Sequence, residues 1–290
     1  MHLGENVVQL EIFSDIKNVL GEGPCWSEYG FAWVDILGRK LWLQDDNGAR
    51  EVFSSETEMP SSVAFDDKGD LIFTLNDGFY RVVDGELKLV RVLEGAGQGI
   101  RFNDGKIDSQ GRYWAGTMDM AEVEPKGSLY VLEGDDLIRV LDGITTSNGL
   151  CWDGNIVYYI DSPTKQIKKY YYDADALTLI GGDVVYTVEE TDVYPDGMCI
   201  DDEGKIWLAL WNGFKVLRID PDSGGVLQDI DVPCKKVTSC CFGGAKRDEL
   251  YITTASKDMN ESDWIKHPNS GKIFRCKPGV TGPLLNKFRQ

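Results

Sequence analysis

Five side chains able to offer oxygen to a ligand recur at one position of a repeat: Glu22, Ser61, Asn103, Asn148 and Asp196. Each stands about five or six residues ahead of a turn rich in Gly, Asp or Ser. Taken singly, Glu22-Gly23-Pro24, Asn103-Asp104-Gly105, Asn148-Gly149 and Asp196-Gly197 are ordinary turn sequences. A turn alone does not require an acid or an amide at the same phase in four repeats. Nor does it require Tyr194-Pro195 to stiffen the approach to Asp196. Side chains at one phase of a closed repeat converge on a common axis, where two acids, two amides and a hydroxyl would form an oxygen-rich cage. Hard divalent cations take such ligands, and an incomplete protein shell leaves positions for water or substrate. The turn reading and the cage reading both stay open on the phase alone.

The elements that must position these residues follow from the repeat itself. A turn followed by a β-branched or aromatic run occurs six times: before Phe31 to Ile36, Asp70 to Asn76, Arg112 to Met118, Ile156 to Ser162, Lys205 to Trp211 and Leu250 to Ser256. Successive turns lie roughly 40 to 50 residues apart, the spacing of a four-stranded propeller blade. Further strand signals follow at Phe79 to Val83, Gly127 to Leu132, Ile167 to Tyr172, Lys215 to Ile219 and Lys272 to Cys276. No repeat carries a long amphipathic helix, which disfavours βαβ architectures. The expectation is an all-β chain, 1–290, forming a single six-bladed β-propeller with four antiparallel strands per blade and a metal in the central channel. Val7 to Phe13 is expected to complete the last blade. A sandwich or a two-domain β protein is the competing architecture.

The chain has 290 residues, with 30 Lys and Arg against 48 Asp and Glu, for a formal charge of -18. That field repels nucleic acid, and no basic stripe counters it. Met1 to Asp15 lacks the pattern of a secretory signal, and no run is apolar for the roughly 18 residues of a membrane span. A cytoplasmic protein with no membrane partner, monomeric or weakly homo-oligomeric, is expected. Cys25, Cys151, Cys199 and the Cys240-Cys241 pair share a phase that should face the crowded axis, so their expected role is packing. His2 and His267 are the only histidines, on the chain start and a late loop, which argues against a Ser-His-Asp triad. Gly95-Ala96-Gly97-Gln98-Gly99 lacks the Lys and Ser/Thr of a phosphate loop.

Several stretches together resemble the senescence marker protein, gluconolactonase and luciferin-regenerating enzyme family. They are Gly21-Glu22-Gly23-Pro24, Arg101-Phe102-Asn103-Asp104-Gly105-Lys106, Gly116-Thr117-Met118, Ser147-Asn148-Gly149-Leu150, Tyr159-Ile160-Asp161-Ser162, Tyr194-Pro195-Asp196-Gly197 and Cys241-Phe242-Gly243-Gly244. They span almost the whole chain in the family's order. The resemblance implies one divalent metal bound by Glu22, Asn148 and Asp196, with Arg101 and Asn103 contacting substrate or water beside it. Ser61, from the shared phase, joins them as an expected substrate contact. Calcium, zinc, manganese, magnesium and iron(II) all suit such a site. Asp119 to Lys126 matches no fixed pattern of the family, and Leu210-Trp211-Asn212-Gly213-Phe214 is closer to its sugar-lactone branch.

The implied chemistry is hydrolysis of a small-molecule sugar lactone. The cation polarises the lactone carbonyl, water attacks, and Asp196 serves as general base. Two alternatives stand beside it. One is metal-dependent hydrolysis of another ester or a phosphotriester, and the other is a non-enzymatic calcium-binding propeller.

Overall fold

Each of the six expected turns closes a hairpin between the first two strands of a blade. In the computed structural model, which describes residues 8–96 and 99–289, the strands assemble into six antiparallel four-stranded sheets. The innermost strands are Gly21–Ser27, Val63–Phe65, Ile100–Ile107, Ser147–Asp153, Tyr194–Ile200 and Lys236–Gly243. The six-bladed propeller is thus borne out. A single turn of 3-10 helix (Ser162–Thr164) and one α-helix (Glu261–Lys266) are the only helices among the described residues.

Ring closure uses the chain start, with a correction to the expected element. The outermost strand of blade six is Glu11–Ser14, pairing antiparallel with Ile273–Cys276 in the register Glu11 to Arg275. Val7 lies outside the described residues, while Val8 and Leu10 pack against the blade-six core without joining the ladder. The partner strand spans only four residues, which sets how long the closing strand can be.

Buried aspartates brace the inner turns in a way that the repeat only partly advertises. Asp108 Oδ1 accepts from the Gln110 and Arg112 amides, while its Oδ2 accepts from Trp114 Nε1 at 2.9 Å. Asp201 repeats the pattern with the Glu203 and Lys205 amides and Trp207 Nε1 at 3.0 Å. One carboxylate therefore closes the turn and fixes the orientation of a fully buried Trp between blades. The inner strands are packed too tightly for larger side chains. A Cβ on Gly149 would stand 2.7 Å from the Asp196 carbonyl, and one on Gly197 would stand 2.1 Å from Ser239 Oγ. All seven cysteines are free and buried, as their packing role requires. Burial pushes the Cys25 and Cys151 thiols up to about 12, far from thiolate reactivity.

Candidate active site and metal centre

The side chains that share a phase sit in the same structural device. Pairing of the first two strands slips between Glu22 and Cys25, between Phe102 and Gly105, between Ser147 and Leu150, and between Pro195 and Met198. A β-bulge breaks the alternation of side chains and bends its strand. Here it turns Glu22, Asn103, Asn148 and Asp196 toward the axis, where they line one chamber of about 330 Å³.

Within that chamber the amides are fixed by a chain of hydrogen bonds through three blades. Arg101 Nη1 donates to Asn103 Oδ1 at 2.8 Å, and Asn103 Nδ2 donates to Asn148 Oδ1 at 3.0 Å and to the Ser147 carbonyl at 2.7 Å. Asn148 Nδ2 donates to Ser162 Oγ at 2.8 Å, and that hydroxyl donates to the Pro195 carbonyl at 2.6 Å. With its nitrogen engaged on Ser162, Asn148 keeps its carbonyl oxygen, which has a second lone pair, on the Asn103 side.

The two acids are held under electrostatic stress. Glu22 Oε2 accepts from the Gly23 amide at 2.6 Å, yet Glu22 Oε1 is buried with no partner among the described residues. Burial, then the Asp104 charge, pushes the Glu22 carboxyl up to about 8. Burial, then Glu22 and Asp104, raises Asp196 well above the ordinary range. Asp104 is the next residue in the Asn103 bulge; its Oδ1 accepts from the Gly105 amide and its Oδ2 has no partner among the described residues. Burial lowers the Arg101 guanidinium to about 10.

Buried carboxylates with an open oxygen are costly unless a counter-charge is present. Among the described residues no three His, Cys, Asp or Glu side chains gather to hold a metal. The donors here are two carboxylates and an amide oxygen, an oxygen-only set with an incomplete shell that fits a hard divalent ion.

Ser61 is not brought to this chamber. It is buried, its hydroxyl donates to the Met59 carbonyl at 3.2 Å, and it is absent from the chamber wall. In blade two the Ser61 amide donates to the Thr74 carbonyl at 3.0 Å and the Ser62 carbonyl accepts from the Thr74 amide at 3.1 Å, so two residues oppose one there as well, and the short Ser61 side chain is spent on its own strand. Glu122, Tyr194, Ser162, Trp211 and Lys257 also line the chamber. Trp211 and Tyr194 lie in sequence motifs with a family look, and Ser162 ends one; Glu122 lies in the 119–126 segment that departs from the family pattern, and Lys257 comes from a connecting loop outside the repeat phase with no sequence signal. His267 caps the short helix and packs on Phe214 at 5.0 Å, away from the chamber, and His2 lies outside the described residues. The glycine run at 95–99 is described only in part, its residues 97 and 98 being outside.

A family model described as SMP-30/Gluconolactonase/LRE-like region matches residues 20–256. The chain belongs to that family. A Bacillus subtilis protein named for sugar lactone lactonase activity, YvrE, is 39% identical over 271 residues, covering 91% of this chain and 93% of its own. Regucalcin of Gallus gallus is 36% identical over 290 residues, covering 95% of this chain and 96% of its own. The solved structure of a calcium-binding protein, regucalcin, from Agrobacterium tumefaciens superposes with a TM-score of 0.91 at 25% identity, covering 98% of each chain. The expected class, a lactone-hydrolysing hydrolase, agrees with the family's description. No helix among the described residues is long and apolar enough to cross a membrane.

Proposed function

We propose that this protein opens a sugar lactone to the sugar acid, using a divalent ion held by Glu22, Asn148 and Asp196. The observation that carries the reading is the buried, unpartnered Glu22 Oε1 in a chamber shared with a second strained carboxylate and an oriented amide oxygen. Bound there, a divalent ion supplies Lewis acidity toward the lactone carbonyl oxygen and balances the charge that develops on it.

The chain's own residues do the rest. Asn103, its two amide hydrogens spent on Ser147 and Asn148, holds Arg101 in place, and the remaining guanidinium N–H groups of Arg101 are the donors that orient the ring ester and its hydroxyls. Water attacks the carbonyl carbon and Asp196 takes its proton. As the tetrahedral intermediate collapses, the bond from carbonyl carbon to ring oxygen breaks, and Asp196 returns the proton to that oxygen. The products are a carboxylic acid, which releases its proton to solvent to become the carboxylate, and a free hydroxyl on one open chain. The chamber volume of about 330 Å³ suits a small polar substrate.

The test is a pH-stat assay of metal-stripped protein with pentono- and hexonolactones, adding back calcium, magnesium, manganese, zinc or iron(II) singly. Turnover restored by an ion and abolished in Asp196→Ala supports the reading. No acceleration over spontaneous hydrolysis with any ion overturns it. Calcium binding without turnover would favour the non-catalytic role, which the oxygen-only donor set also suits and which the regucalcin structure's description matches.

A further inference from the structure

We propose that the mouth of the chamber selects lactones that carry a second acidic group, a carboxylate or phosphate, remote from the ring ester. This rests on the lactonase reading above. The chain bears a charge of -18, so its distant field repels an anionic substrate. Ionic screening limits that repulsion to roughly 8 Å at physiological salt, and a cluster of cations at the entrance can then dominate locally.

Such a cluster is built into blades five and six. Lys236 Nζ lies 5.0 Å above the Trp211 ring, and Lys257 Nζ lies 5.9 Å from the same ring. Lys236 Nζ also donates to the Lys257 backbone carbonyl, which ties the loop carrying Lys257 in place. Lys236 keeps this position although its side chain is only 14% exposed, with Asp258 Oδ2 3.6 Å from its ammonium, so Lys257 is the cation that faces the chamber. Two ammonium groups on one indole repel each other, and the ring face offsets part of that cost.

The partner of Lys257 shows what the cluster can hold. Lys257 Nζ stands 3.7 Å from Glu122 Oε1. Glu122 belongs to the loop after the second strand of blade three, and Lys257 to the corresponding loop of blade six. Those blades face each other across a six-membered ring, so the pair bridges the entrance. Its side chains are 53% and 32% exposed, and the contact is long and solvent-screened. A substrate carboxylate or phosphate can displace Glu122 from Lys257 at little cost. Charge balance agrees: Glu22, Glu122 and Asp196 face Arg101 and Lys257 in the chamber wall. A divalent ion turns that deficit of one positive charge into an excess of one, which a singly charged substrate neutralises.

The test compares kcat/KM for glucarolactone and phosphogluconolactone with that for neutral gluconolactone in wild type, Lys257→Arg and Lys257→Met. Wild type should favour at least one acid-bearing lactone, and which one names the acidic group. The ratio of acid-bearing to neutral kcat/KM should fall about tenfold in Lys257→Met, the scale of one charge-assisted contact, and should largely survive in Lys257→Arg. Calorimetry of the calcium-loaded protein should show the diacid glucarate binding more tightly than gluconate, with the difference lost in Lys257→Met. Hydrolysis of neutral lactones with no preference for acidic ones, or a ratio unmoved by Lys257→Met, overturns the inference and leaves the lactonase standing. If no lactone is hydrolysed, the lactonase reading falls and calorimetry decides the inference: equal affinity for the two acids refutes it.

Discussion

Stripping the metal should make this protein less stable as pH rises through neutrality, with Glu22 as a main cause. Its carboxyl is raised from an ordinary 4.5 to about 8 by burial and by the Asp104 charge. A group with a raised folded value contributes stability that is complete below the unfolded value and lost as pH climbs through the folded one. The vulnerable window therefore runs from about pH 4.5 to about pH 8. In the unfolded chain at neutral pH Glu22 has released its proton, whereas the folded metal-free chain still holds it. Linkage gives a loss of roughly 3 kcal/mol between pH 4 and pH 7 from this group alone. For a chain of this size that is about 6 °C in midpoint. The assay is thermal unfolding in chelator at intervals from about pH 5 to pH 8, on wild type and on Glu22→Gln. The variant keeps the shape without the titration, so the general effect of the -18 charge cancels in the comparison. Wild type should fall several degrees further than Glu22→Gln over the window. Calcium at about a hundred times its dissociation constant should return roughly 2.7 kcal/mol at neutral pH, and much less near pH 5, where protons compete for the ligands. Parallel pH profiles for the two proteins in chelator would refute the claim that Glu22 is the strained ligand.

Three further outcomes follow from the packing of the inner strands. Ser61→Ala should leave kcat/KM within about twofold, because the hydroxyl serves only the Met59 carbonyl; a tenfold loss would put Ser61 back in contact with substrate. Gly197→Ala should destabilise by about 2 to 3 kcal/mol or more, read as a denaturation midpoint, since its Cβ would stand 2.1 Å from Ser239 Oγ. Asp201→Ala should cost about 3 to 5 kcal/mol by the same measurement, for it strips the buried Trp207 Nε1, the Arg218 guanidinium and two turn amides of their common acceptor; a loss under about 1 kcal/mol would mean that water replaces the carboxylate.

How far the sequence reaches is decided by the repeat. The second strand of each blade and the blade number were legible because turn and β-run recur roughly every 40 to 50 residues, and each of those six turns joins the first two strands of a blade. The axial residues were legible for the same reason: one phase of a closed ring is one height and radius. Glu22, Asn103, Asn148 and Asp196 follow that rule because each lies in an inner-strand bulge. Ser61 shows its limit, since a shared phase places a backbone, while a side chain's length and its own hydrogen bonds decide where its oxygen points. Blade two has the same phase, and its short hydroxyl side chain turns back on its own strand. The chamber mouth follows no phase at all. Glu122, with φ of +57°, and Lys257 reach it on loops whose lengths differ from blade to blade, and they meet only because blades three and six oppose each other. A periodic sequence thus discloses what lies on its axis, where chemistry common to the ring is placed. What selects the substrate is supplied by segments that break the period, and it becomes visible only when opposite blades are brought face to face.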